Sequence, residues 1–83
     1  MKIIVKQAYI DVEHNGKTAR FAGYLAQKGF AAEASTMRWL RPAENAPVTE
    51  EERLELMRTV REFAKTDENK VYFIDDNCNN LDF

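Results

Sequence analysis

Several residues in this chain are of types that could do chemistry. His14 is the only histidine. A general base needs its imidazole held by a second group, usually a carboxylate, beside a nucleophile or bound water. Glu13 is adjacent but points to the opposite face of an extended chain, which leaves His14 as a surface residue at a hairpin end. Cys78 is the only cysteine, and the charge around it in sequence, Asp75, Asp76 and Asp82, is of the wrong sign to stabilise a thiolate. Asp75, Asn77 and Asn79 have the one-three-five spacing of the first ligands of a calcium loop. Asn80 stands where that loop needs glycine, and Phe83 is reached before a carboxylate at position twelve, so a polar tail is expected instead. The acids Glu50, Glu51, Glu52 and Glu55 could in principle supply the paired carboxylates of glycosidic chemistry, which must face each other across a cleft. They are close neighbours at a helix start, where capping already accounts for them. No catalytic residue, metal ligand or cofactor site is therefore expected, and the chain reads as a non-enzyme.

Binding is the better prospect. Arg53, Arg58 and Arg61, with Tyr9, Tyr24 and Trp39, have the composition of a nucleic-acid surface. The arginines alternate with Glu51, Glu52, Glu55 and Glu62 at helical spacing, which makes a solvated face rather than a basic footprint. Lys2, Lys6, Lys28, Arg38 and Arg41 would bind nucleic acid only if they converged. Trp39 and Met37 share one face of a strand; core packing is the plain assignment, and an exposed tryptophan beside Arg41 would be the centre of a protein interface.

Charge is unevenly placed. Residues 1–41 carry seven Lys and Arg against three Asp and Glu, whereas residues 42–83 carry five against eleven, for a net charge of −2. An acidic face would attract a basic partner and repel a phosphate backbone. Glu50, Glu51, Glu55, Asp75 and Asp76, with Trp39, are the candidate protein-binding residues. At 83 residues, with 45% hydrophobic and 31% charged residues, the chain is expected to form one thin-cored globular domain over residues 1–75, with a polar tail over 76–83. No stretch has the twenty or so apolar residues of a membrane helix. The opening MKIIVKQAYIDVEH lacks signal-peptide character, and a single cysteine suits a reducing compartment, so a cytoplasmic location is expected.

The element that must position these groups is Thr49 to about Lys65. Thr49 followed by Glu52 is a capping box, and Leu54, Leu56, Met57, Val60, Phe63 and Ala64 share one face. Such a stripe needs a surface to cover it, predicted to be a small antiparallel sheet of four to five strands in an α+β fold. KIIVK reads as the first strand. Asn15-Gly16 predicts a two-residue hairpin turn pairing Ile10 with Phe21, Asp11 with Arg20 and Val12 with Ala19, with the apolar pairs facing the helix. Residues 22–28 are open between helical turns and a wide loop. Residues 30–40 have strand character interrupted near Ser35, with a short helix from Ser35 as the competitor. Pro42 and Pro47 bracket an irregular connection, and KVYFID is the last strand.

The order of these segments resembles one group of small bacterial immunity proteins from polymorphic toxin and contact-dependent growth inhibition systems. The resemblance spans most of residues 1–75. It rests on the KIIV strand, the Asn15-Gly16 hairpin, Gly29-Phe30 running into Trp39 and Pro42, the Pro47-Val48-Thr49-Glu50-Glu51-Glu52 helix start and the VYFID strand. It implies a cytoplasmic protein without cofactor that binds the toxin domain of its own system and blocks it at or near a nuclease active site. It transfers no catalytic or contact residue. A homo-oligomeric structural or regulatory domain, favoured if Val71–Ile74 is an exposed edge, and a nucleic-acid-binding module are the alternatives.

Overall fold

A computed structural model describes all residues, Met1–Phe83. The fold is α+β: one helix packs on a six-stranded mixed sheet. Strands β1 (Lys2–Val5), β2 (Tyr9–His14) and β3 (Lys17–Ala26) form an antiparallel meander, and β4 (Gly29–Glu33) continues it. β5 (Arg38–Arg41) pairs with the first half of β3, helix α1 (Glu50–Ala64) follows, and β6 (Val71–Ile74) closes the sheet beside β4.

The β2–β3 register is the one that Asn15-Gly16 dictates, from Tyr9↔Ala22 through Asp11↔Arg20 to His14↔Lys17. Both turn residues have positive φ, 51° and 77°, as the tight hairpin turn requires. Residues 22–26 are strand, neither helix nor loop. Gly23 permits this, since a Cβ there would overlap the Ala31 carbonyl oxygen and the Phe30 ring on β4. A ten-residue β3 can thus hold β4 along one half and β5 along the other.

The interruption between β4 and β5 is a single 3-10 turn, Ala34–Thr36. Thr36 organises it: its hydroxyl donates to the Glu33 carbonyl at 2.6 Å and accepts from the Ala22 N–H at 2.9 Å. The threonine side chain thereby takes the β3 amide at the gap between the two ladders.

β6 runs parallel to β4, with Phe30↔Val71 and Ala32↔Phe73 in register, because the α1 crossover returns the chain to the same end of the sheet. The all-antiparallel expectation therefore fails at this one pair, and the unbroken apolar run of β6 has its reason. Val71 and Phe73 face the helix, while Ile74 is buried on the other side.

The core lies between one sheet face and α1. Ile3, Ile10, Val12, Ala19, Phe21, Phe30, Trp39 and Phe73 meet Leu56, Met57, Val60 and Ala64, with Phe21 and Phe73 edge-to-face at 5.1 Å. The capping box forms at Thr49 and Glu52. At the other end, Lys70 Nζ donates to the carbonyls of Ala64, Lys65 and Asp67 at 2.6 to 3.2 Å, so a residue from the β6 approach supplies the positive charge and donors that a helix C-terminus needs.

The residues after β6 fold back rather than trail away. Asp75 Oδ1 accepts from the amides of Asn77 and Asn79, at 2.8 and 2.9 Å, which makes the one-three-five spacing a local turn. Asn80 then bridges to Ile74, the Leu81 N–H donates to the Phe73 carbonyl at 2.9 Å, and the Phe83 ring packs 5.9 Å from Phe73. β6 is the last strand of the sheet, but part of its outer edge is taken by this segment.

Candidate functional site

α1 carries its acids on a helix with two flanks. Positions 50, 53, 54 and 57 turn toward the segment after β6, and positions 52, 55, 56 and 59 turn toward the β2–β3 hairpin. Each flank borders a hollow.

The first hollow, of about 300 Å³, has Ala34, Leu54, Met57, Leu81 and Phe83 as its apolar lining. Its rim brings together Glu50 from α1 and Asp75, Asp76 and Asp82 from the segment after β6. Arg53 pairs with Glu50, and Ser35 Oγ donates to Asp76 Oδ1 at 2.6 Å. The second hollow, of about 160 Å³, lies among Val12, Trp39 and Leu56, with Glu52, Glu55, Lys17 and His14 around it. Lys17 Nζ stands 5.4 Å from the centroid of the Trp39 ring. Glu52 Oε1 accepts from the Thr49 amide at 3.0 Å and from its hydroxyl at 3.1 Å. The bond from the Thr49 backbone amide, above all, holds the Glu52 carboxyl below the usual glutamate range.

The residues that sequence reasoning selected are thus distributed rather than fused. Glu50, Asp75 and Asp76 converge on the first hollow, and Glu55 and Trp39 border the second. Glu51 is exposed on the helix and lines neither. Trp39 is only 8% exposed, so it is a packed core residue that borders the hollow and not a protruding anchor. Asp82 was not singled out beforehand, nor was Glu52 as part of an acidic surface. Helical spacing signals the second, while the folding-back that brings in Asp82 has no periodic signature.

The two hollows together carry six carboxylates against Arg53 and Lys17, a local charge of −4 with His14 neutral, on a chain whose total is −2. The basic residues considered for nucleic acid do not gather in this way. Lys2 and Lys6 lie at opposite ends of β1, Lys28 sits in the β3–β4 turn, and Arg38 and Arg41 belong to β5.

The sheet face away from α1 is packed by no second helix or sheet, although Ala31 and Ile74 on it are buried. Ile4, Asp11, Arg20 and Arg38 form one row across it, and Tyr24, Ala31 and Tyr72 another. Tyr24 is 43% exposed, and its phenol is raised above the usual tyrosine range, chiefly by the neighbouring Cys78 thiol. Cys78 is a free, exposed thiol. No helix is long and apolar enough to cross a membrane.

No curated protein and no solved structure matches the chain. A family model does: the one described as Immunity protein 74 matches residues 2–74, from the first residue of β1 to the last of β6. That span takes in both hollows except for their rim residues Asp75, Asp76, Leu81, Asp82 and Phe83. The chain belongs to the immunity protein 74 family.

Proposed function

We propose that this immunity protein neutralises a nuclease toxin of its own system, in the cytoplasm, by binding over the toxin's basic substrate surface with the acidic half of α1 and the turn after β6. Family membership supports the toxin partner. The observation that carries the surface is the convergence of Glu50, Asp75, Asp76 and Asp82 on one hollow, continued through Glu51 to Glu55 on the other flank. A nuclease must present positive charge to phosphates, and a protein that matches that charge both accelerates encounter and occupies the substrate's place. The inhibitor needs no chemistry of its own for this, in keeping with a chain read as a non-enzyme without cofactor.

The test is to recover the partner from native cells by pull-down and mass spectrometry, then to measure association over a salt series. The reversals Glu50→Lys and Asp76→Lys should slow association at low salt by about tenfold or more, and Lys2→Glu should not. An association rate at low salt that ignores the acid reversals would remove the acidic surface from the reading. A stoichiometric partner whose toxicity is not relieved on binding would remove neutralisation.

A further inference from the structure

The smaller hollow has a shape and chemistry more specific than general acidity. At about 160 Å³ it is smaller than ordinary small-molecule sites, which run from about 300 Å³ upward, and is close to the size that one ring or one side chain fills. Its aromatic lining is the small exposed part of the otherwise buried Trp39, its apolar walls are Val12 and Leu56, and Glu52 and Glu55 stand at its rim. The chain already places a cation there: Lys17, the exposed first residue of β3, holds its ammonium 5.4 Å from the Trp39 centroid. The fit is incomplete, because two carboxylates face one ammonium. Glu52 is committed to Thr49, and Glu55 takes part in none of the chain's five ion pairs.

We infer that the hollow beside Trp39 receives one arginine side chain of the bound toxin, with Lys17 as the placeholder it displaces. The inference rests on the toxin-binding reading above and names the contact on which that binding turns. A guanidinium suits the hollow better than an ammonium does: its plane stacks on an indole, it sheds water more easily, and its paired N–H donors match the unengaged Glu55 carboxylate. Lys17 is bound only through its flexible tip and can swing into solvent.

Trp39 is the only tryptophan, so its fluorescence reports on this hollow alone. Titration with N-acetyl-arginine amide should give a saturable change at about millimolar concentration, the strength of a single-side-chain contact, while the neutral isostere N-acetyl-citrulline amide should give none. Glu55→Gln should weaken the arginine response about tenfold, as expected for loss of a charge-assisted contact. Lys17→Ala should strengthen it severalfold. Both positions are exposed, and unchanged circular dichroism will show that the variants fold. Opposite signs from two variants on one rim would not arise from a structural role. An unsaturable signal, an equal response to citrulline, or weakening by Lys17→Ala overturns the inference. With the toxin itself, the same two variants should shift dissociation in the same opposite directions. Toxin that binds both variants like the wild type overturns the arginine contact and leaves toxin binding standing, whereas failure to find any toxin partner overturns the reading beneath it.

Discussion

Asp11 and Arg20 face each other across β2 and β3 and meet twice, Nε donating to Oδ1 at 2.7 Å and Nη2 to Oδ2 at 3.0 Å. The same guanidinium lies 3.8 Å from the centroid of Tyr9. The hydrogen bond to Asp11 is the main reason that Arg20 is held more firmly protonated than a free arginine. These side chains lie on the sheet face away from α1, but Arg20 is only 29% and Asp11 only 16% exposed, so screening is partial. A double-mutant cycle of Asp11→Ala and Arg20→Ala, read by urea unfolding, should give a coupling of about 1 kcal/mol, the upper end for surface pairs. Arg20→Lys should lose most of it, because an ammonium offers neither the fork nor the stack. A coupling near zero would reduce the pair to a solvated contact.

Gly23 lies where the β4 backbone comes too close for a side chain. Its own φ is ordinary, but an added methyl would meet the Ala31 carbonyl oxygen and the Phe30 ring. Gly23→Ala should therefore destabilise the protein by about 1 to 3 kcal/mol, the usual cost of overpacking, despite alanine's advantage in the unfolded chain. Gly16→Ala makes the control: nothing crowds that position, and the cost there comes from its φ of 77° alone. Melting temperatures of the two variants separate steric from backbone strain.

How much of this was legible beforehand depends on whether local chemistry or remote packing decided the outcome. Asn15-Gly16 fixed a register that placed Ile10, Val12, Ala19 and Phe21 on one face, and all four are buried. Thr49 and Glu52 specified the helix start as expected. Residues 22–26 were open because glycine weakens any local signal, and only the approach of β4 shows why Gly23 belongs in a strand. The parallel placement of β6 and the sixth strand were hidden for the same reason, since pairing direction follows from the path of the α1 crossover rather than from VYFI itself. At the candidate site, the acids on α1 were visible as a run, whereas their meeting with Asp75, Asp76 and Asp82 needed the fold.

The helix start makes stability pH-dependent in a definite direction. Glu52 and Glu62 both have carboxyls lowered from the ordinary 4.5, Glu52 chiefly by the Thr49 amide and Glu62 chiefly by Lys65. A lowered carboxyl contributes stability that is complete above the unfolded value and is lost as pH falls through the folded one. The melting temperature should thus be level from neutral pH down to about 5 and decline below about 4.5. Glu52→Gln should flatten part of that decline. Thr49→Ala should cost about 1 kcal/mol at pH 7 as a lost cap, yet keep most of the Glu52 pH dependence, because the backbone amide that lowers the carboxyl remains. A Thr49→Ala variant with no acid-dependent difference from Glu52→Gln would place the effect on the hydroxyl instead.

The segment after β6 guards a strand edge. Val71–Ile74 is an apolar strand at the end of the sheet, the kind that pairs with other chains when left open. Its outer side is engaged by the Ile74–Asn80 bridge and by the Leu81 amide on the Phe73 carbonyl, and Arg61 fastens the segment by reaching both the Phe83 backbone oxygen and its ring. Removing residues 79–83 should cost about 2 kcal/mol, since Leu81 and Phe83 are each only part buried. It should also free the edge. Sedimentation of the shortened protein should show concentration-dependent self-association beyond that of the full chain, and a Tyr72→Lys substitution, which places a charge on the edge strand without touching its ladder to β4, should abolish it. If the shortened chain loses stability but stays monomeric at every concentration, the segment serves packing alone, and self-association through β6 is set aside with it.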